Sequence, residues 1–212
     1  MKLCVIGVGR FGYQVATTLT DNGMEVMAID SNEERIASIK DKVSQAICIN
    51  VTDEEALRTI GIDEMDVVIV AMGEDFAQSV LITALLKQNF SVPRIITRTI
   101  NKLHKDILLL IGADQVILPE QEMGIRLADM LSLPFNALMR VTPDVSLSYH
   151  RTPKELIGKP AEAMHSLYGT VCIGKKQKES IEIISPQYII KANDILVYAG
   201  ENQKLERVSK GS

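Results

Sequence analysis

The sequence predicts an α/β protein: a doubly wound parallel sheet of the Rossmann type, a crossover helix, and a small α+β lobe behind it. Three observations carry this expectation. Short apolar runs alternate with amphipathic helical stretches over residues 1 to about 118. A glycine-rich loop, Gly7-Val8-Gly9-Arg10-Phe11-Gly12, follows directly on the first apolar run and opens the first helical one. The regular alternation stops after Glu120, where shorter segments take over.

Taken in order, the strand-like runs are Leu3–Ile6, Glu25–Ile29, Ala46–Ile49, Val67–Ala71, Ile95–Arg98 and Gln115–Leu118. Helical patterns between them space apolar residues to form one stripe; Leu103, Ile107, Leu110 and Ile111 are an example. Right-handed crossovers then give the strand order 3-2-1-4-5-6, with ligands expected beyond the carboxyl ends between the first and fourth strands. A second stripe, Met123, Leu127, Met130 and Leu131, marks the crossover helix. It precedes Leu133-Pro134-Phe135, where the proline disfavours helix for the residue before it. A further short helix is expected from Phe135 to Met139, ending before Thr142-Pro143-Asp144.

These signals divide the chain into a nucleotide-binding domain over 1–132, a linker over 133–143 and a C-terminal lobe over 144–212. In that lobe Val145, Leu147 and Tyr149 alternate, as do Ile181 and Ile183. Ile195 to Tyr198 reads as a strand entered through the turn Asn193-Asp194. Pro160 to Leu167 reads as one helix with the proline in its first turn. A lobe of roughly 65 residues is marginal by itself and is expected to pack on a partner.

Composition narrows the class. Hydrophobic residues make up 46% of the chain and aromatics 4%, so the core is aliphatic. The net charge is −4 with no basic tract, which argues against nucleic acid as a partner. Cys4, Cys48 and Cys172 have no metal-type spacing. Cys4 and Cys48 lie in strand patterns and read as small hydrophobes, so a reducing, cytoplasmic compartment is expected. The N-terminus enters a strand without a leader pattern, and no apolar run approaches the roughly 20 residues that cross a bilayer.

Chemistry centres on the glycine loop. Gly7 permits the tight turn, Gly9 lets backbone N–H groups approach phosphates, and Gly12 lets helix and strand pack closely. The helix opening near Arg10 directs its dipole and unpaired amides at the same place. Asp30, at the end of the second strand, suits a ribose 2′-hydroxyl and repels a 2′-phosphate. Ser31 and Asn32 follow it and the nearest cation is Arg35, so NADP is disfavoured while NAD(H), ATP, ADP and AMP remain. Arg10 can offer phosphate a bidentate guanidinium or stay a solvated first-turn side chain. Gly73-Glu74-Asp75 ends the fourth strand as a second half-site or simply a helix start, and both readings stay open. Arg98 ends the fifth strand on the same sheet edge, and Glu120 follows the sixth where a carboxylate could hold a phosphate-bridging cation. His104, His150 and His165 lack motif partners and read as surface residues. Without an acid–base pair, a nucleotide site points to a sensor rather than an enzyme.

In their order these motifs resemble the KTN/RCK domains that regulate potassium transport, and most nearly the Ktr/Trk cytosolic regulatory subunits. The resemblance rests on the glycine loop, Asp30, Val70-Ala71-Met72-Gly73-Glu74-Asp75, Ile111-Gly112-Ala113-Asp114 and Pro119-Glu120. It continues through Leu156-Ile157-Gly158-Lys159, Ile184-Ser185-Pro186 and Asn193-Asp194-Ile195-Leu196-Val197-Tyr198-Ala199-Gly200. It implies that Asp30 holds the ribose, that Arg10 and Arg98 meet phosphates, and that Glu120 lies near a Mg²⁺ or Ca²⁺ ion. By the same resemblance, ATP/ADP is the expected ligand, with NAD(H) retained as the alternative of a redox regulator or small oxidoreductase. The implied assembly is a homodimer building an octameric ring on the cytosolic face of a membrane potassium-translocating subunit. Some relatives bind cyclic di-AMP in the C-lobe, for which Cys172, Ile173 and Pro186 are the candidates here. Two positions depart from the pattern: the third strand ends Ile49-Asn50-Val51-Thr52 where relatives often carry Gly-Asp-Ala-Thr, and the C-lobe lacks an arginine suited to a cyclic dinucleotide. Asn50 is expected to cap the segment that follows it.

Overall fold

Six parallel strands form one sheet in the order β3-β2-β1-β4-β5-β6. They are β1 (Lys2–Ile6), β2 (Glu25–Asp30), β3 (Gln45–Cys48), β4 (Val67–Val70), β5 (Arg94–Arg98) and β6 (Gln115–Ile117). Between them run α1 (Arg10–Asp21), α2 (Glu33–Ile39), α3 (Glu54–Thr59), α4 (Phe76–Asn89) and α5 (Lys102–Ile111), with α6 (Pro119–Ser132) following. The computed structural model describes every residue except Glu74, Pro134, Glu179 and Ser212. The chain divides into two compact units, Met1–Glu122 and Met123–Ser212.

In the first unit, strand alternation sends side chains to opposite faces of the sheet. Cys4, Ile6, Met27, Ile29, Val68 and Val70 pack with Leu57, Ile82 and Leu86 of α3 and α4. Leu3, Val5, Val26, Ala28 and Ile69 pack on the other side with Ala16 and Ile39 of α1 and α2. Because both faces are covered, the central strands read as near-continuous apolar runs. Strand order and positions agree with the sequence expectation. Of the two strand cysteines, Cys48 is exposed, because β3 is an edge strand with one neighbour, whereas Cys4 on the central β1 is buried.

The α5 stripe is largely uncovered. Leu103 and Leu110 are 66% and 88% exposed, and Leu108 is the residue of α5 that is fully buried. On α6 no residue is buried, and Met123, Leu127, Met130 and Leu131 are all exposed. Apolar periodicity reported a helix correctly in both cases, but not which surface the stripe would cover.

The second unit carries an antiparallel sheet in the order β10-β9-β11-β8-β7. Its strands are β7 (Ala137–Arg140), β8 (Val145–Arg151), β9 (Val171–Gln177), β10 (Ser180–Ile183) and β11 (Ile195–Glu201), with α7 (Ala163–Tyr168) and α8 (Asn202–Lys210). The short helix expected from Phe135 to Met139 is instead the edge strand β7, paired with β8 through Ala137–Ser148 and Arg140–Ser146. Four residues are too few for periodicity to separate strand from helix, and the partner strand decides. Pro134, on which the expected bend rested, lies outside the described residues. The helix expected from Pro160 begins only at Ala163, because the backbone N–H groups of Ala161 and Glu162 donate to the carbonyls of Tyr188 and Pro186.

Along β8 the burial phase is the reverse of the hydrophobic one. Ser146, Ser148 and His150 are buried while Val145, Leu147 and Tyr149 are half-buried. His150 is therefore not a surface residue; its ring lies 6.1 Å from that of Tyr198 and 6.4 Å from that of Phe135. Burial pushes its pKa below the ordinary value. The unfolded chain then binds a proton that the fold rejects, so this contribution to stability is complete above about pH 6.5 and is lost as pH falls below it. Melting temperature should drop on acidification from pH 7 to pH 5, and His150→Phe should flatten that slope. An unchanged slope in the variant would assign the acid sensitivity to other groups.

Candidate nucleotide site

The carboxyl edge of the parallel sheet opens into a cavity of about 850 Å³. Ile6, Gly7, Gly9, Arg10 and Phe11 line it from β1 and the loop into α1; Asp30, Ser31 and Arg35 come from the β2 side. Asn50, beyond β3, and Met72, Gly73, Gln78, Arg98 and Glu120 complete the lining. This is the switch point at which strand order reverses, where doubly wound sheets bind ligands.

Local conformation explains the loop. Gly7 has φ +97°, and its N–H donates to the carbonyl of Ile29 at 2.7 Å. A Cβ at Gly12 would sit 1.9 Å from the carbonyl oxygen of Gly7, so only glycine lets α1 cross β1 this closely. At Gly9 a Cβ would meet nothing within 4 Å, so the protein itself does not require glycine there. A phosphate approaching the backbone would.

Helix capping points to the same spot. The side chains of Asn32, Asp53, Asp75 and Asn101 each accept a backbone N–H at the start of α2, α3, α4 and α5. By contrast α1 begins at Gly9 with no side-chain cap and no acid in its first turn. Its unpaired amides and positive dipole end therefore remain available to an anion, beside the exposed Arg10.

Asp30 is buried and rigidly held. Its Oδ2 accepts from the Val8 N–H at 2.7 Å, its Oδ1 accepts from the Asn32 N–H at 2.9 Å, and Arg35 Nη1 lies 3.3 Å from Oδ2. The carboxylate thus ties the glycine loop to the end of β2 while lining the cavity. Ser31 lines it as well, with its carbonyl 3.6 Å from Cys48 Sγ.

On the β4–β6 side, Arg98 is packed over Gly73. A Cβ there would come within 2.9 Å of the Arg98 Cζ. The guanidinium carbon lies 5.5 Å from the centre of the Phe11 ring, and Nη2 donates to Glu120. Glu120's own backbone N–H, then Arg98, hold its carboxyl below the ordinary pKa. Glu74, expected at this half-site, lies outside the described residues. Among the described residues no group of three or more His, Cys, Asp or Glu converges as a metal cage. A cation at Glu120 would take its remaining ligands from water or from a bound molecule.

Asn50 lines the cavity but caps no helix, since Asp53 does that for α3. Its Oδ1 instead accepts from Gln78 Nε2 at 3.2 Å, and the same amide donates to the carbonyl of Val51. Gln78 was not expected at the site: it lies in the first turn of α4, in a stretch with no motif, and only the fold brings it to Asn50. Arg35, the cation nearest Asp30 in sequence, is turned back toward the strand end by α2 and pairs with that carboxylate.

In the second unit Cys172 and Ile173 are consecutive on β9, and consecutive strand residues face opposite sides. Cys172 packs with the unit's core, where burial pushes its thiol pKa up to about 11. The carbonyl of Pro186 accepts from the Glu162 N–H.

The TrkA-N domain family matches residues 3–119. Ktr system potassium uptake protein A of Vibrio alginolyticus is 32% identical over 211 residues, spanning 96% of this chain and 94% of that relative. The chain belongs to the Ktr/Trk family of RCK proteins. The same RCK fold is present in the GsuK channel bound to NAD, with TM-score 0.65 and 16% identity over 96% of this chain. GsuK bound to ADP gives TM-score 0.54 and 26% identity over 62% of this chain. The RCK chain spans only 38% and 34% of those two channel chains.

Proposed function

We propose that this chain is a nucleotide-responsive regulatory subunit of a membrane potassium-uptake system, binding ATP and ADP in the cavity around Asp30 and the glycine loop. The observation that carries the nucleotide reading is the uncapped start of α1 beside Arg10, opposite a buried carboxylate fixed at the end of β2. The family relationship supports the potassium-uptake role and a membrane partner, with this subunit attached at the cytosolic face. No helix among the described residues is long and apolar enough to cross a membrane. The exposed apolar stripe of α6 supports a homo-oligomer, and an octameric ring of dimers is the arrangement in which one such unit per chain would gate the partner. Glu120 would hold a Mg²⁺ or Ca²⁺ ion that accompanies the nucleotide. If the second unit takes cyclic di-AMP, Cys172, Ile173 and Pro186 are its candidate surface. We read the role as regulatory rather than catalytic.

A ligand shifts a conformational equilibrium only by its differential affinity for the two states. The γ-phosphate supplies that difference here through added charge at Arg10. Calorimetric titration tests this: Arg10→Ala should weaken ATP roughly tenfold and ADP distinctly less. Equal losses for both nucleotides would remove the γ-phosphate from the mechanism. Wild-type protein that binds no nucleotide, or that turns over NADH with a carbonyl substrate, would overturn the regulatory reading.

A further inference from the structure

We infer that one end of the second unit is a membrane-contacting surface that associates with anionic phospholipid headgroups. The inference is independent of the nucleotide site.

The two units differ in charge. Residues 1–122 hold 11 Lys and Arg against 18 Asp and Glu, whereas residues 123–212 hold 12 against 9. The first is acidic and the second basic. No basic run in the sequence announces this, because the fold gathers the cations. β8 ends at Arg151 opposite Ile195, where β11 begins, and Leu196 pairs with Lys175 near the end of β9. The turn from β9 to β10 therefore leaves the sheet at that same end, with Lys176 before it and Lys178 in it. The segment after β8, which carries Lys154, returns to the same place. There the Gly158 N–H donates to the Ile190 carbonyl and the Ile190 N–H to that of Lys159, with Lys191 next in sequence.

These cations lack a counter-charge. Among the described residues, none of Arg151, Lys154, Lys159, Lys176, Lys178 and Lys191 is in an ion pair. Lys176 lies instead over the Tyr149 ring, 4.2 Å from its centre. Two nearby acids are already engaged: Glu182 pairs with Lys175 at 3.2 Å, and Asp194 accepts from the Tyr188 hydroxyl and the Lys191 N–H. Glu155 and Glu162 remain, exposed, beside six unpaired cations. At the opposite end, where β11 finishes, Arg140 pairs with Asp129 and Lys204 with Glu201.

Like charges crowded without counter-charges repel one another, and an external anion relieves them. The apolar residues among them decide which anion. Ile157, Ile189 and Ile195 are 44%, 53% and 37% exposed. A soluble polyanion offers isoleucine nothing, whereas a bilayer offers it the acyl boundary beneath the headgroups, where basic and apolar side chains act together. Each basic residue near an anionic bilayer strengthens association about fivefold.

The test is co-sedimentation of the full chain, without nucleotide, with vesicles of phosphatidylcholine and with vesicles in which phosphatidylglycerol replaces a third of it. Wild type should bind the anionic vesicles and not the neutral ones, and added salt should release it. Arg151→Glu, Lys154→Glu and Lys191→Glu together should weaken binding about a hundredfold or more, and Lys204→Glu at the other end should leave it unchanged. Ile157→Asn with Ile189→Asn keeps every charge and should still weaken binding severalfold. All of these side chains except that of Lys204 are exposed, so the variants should fold; if one does not, the lipid preference and salt dependence of wild type decide. Wild type that ignores anionic vesicles, or a folded triple variant that binds them as wild type does, overturns the inference. So does a DNA duplex bound as tightly as the vesicles and unaffected by the isoleucine changes, which would make the patch a site for soluble polyanions.

Discussion

Gly12→Ala should abolish nucleotide binding and destabilise the first unit by about 3 kcal/mol or more. The added methyl would sit 1.9 Å from the Gly7 carbonyl oxygen and 3.2 Å from Ala71 Cβ. Neither is the end of a flexible side chain. Relief therefore requires moving α1 away from β1, and α1 carries the amides that face the cavity. Gly9→Ala is the informative counterpart. With nothing within 4 Å of its Cβ, it should fold with an unchanged melting temperature and still lose nucleotide affinity, because the methyl stands where phosphate must approach. Thermal melts with and without ATP separate the two effects. A Gly9→Ala protein stabilised by ATP as strongly as wild type would mean that phosphate does not approach the loop there.

That contrast also shows what a sequence can disclose. The three glycines are equivalent letters in a motif, yet one serves backbone conformation, one helix–strand packing, and Gly9 meets no demand of the chain itself. Motif spacing located the loop because the tight turn and the close crossing are local demands on the chain. Strand order was legible for a related reason: buried parallel strands are continuous apolar runs, and handed crossovers leave few ways to arrange them.

Legibility failed where the deciding partner is distant or outside the chain. Ala137–Arg140 became a strand because β8 lies beside it. His150 was buried because β8 turns its polar face inward, against the sense of its own alternation. The stripes on α5 and α6 were visible as periodicity, but their exposure was not. Within the site, Asp30 and Arg10 were legible from spacing, while Gln78 and the seat of Arg98 on Gly73 were not. Those contacts join residues 28 and 25 positions apart in sequence through the fold alone.

Asp30→Ala should weaken ATP binding about a hundredfold and destabilise the first unit by about 2–4 kcal/mol. Two effects add. The proposed ribose contact loses its acceptor, and the Val8 N–H, donated at 2.7 Å to a carboxylate that is itself buried, loses its partner. Asp30→Asn separates them. It keeps the volume and one acceptor oxygen, but places an NH₂ group against either the Val8 or the Asn32 N–H, so one donor must face another. Affinity should therefore suffer nearly as much as in the alanine variant, with a smaller stability loss. Arg35→Ala is the control for charge alone: that side chain is 55% exposed, and its loss should cost less than about 1 kcal/mol. If Asp30→Ala instead lowered stability while leaving ATP affinity intact, the carboxylate would be a brace for the glycine loop and the ribose would be held elsewhere. The proposed site uses it as both. The carboxylate has two oxygens and about four lone pairs. One pair accepts the Val8 N–H of the glycine loop, one the Asn32 N–H at the start of α2, and one faces Arg35, which leaves one for a ribose hydroxyl entering the cavity that Asp30 lines.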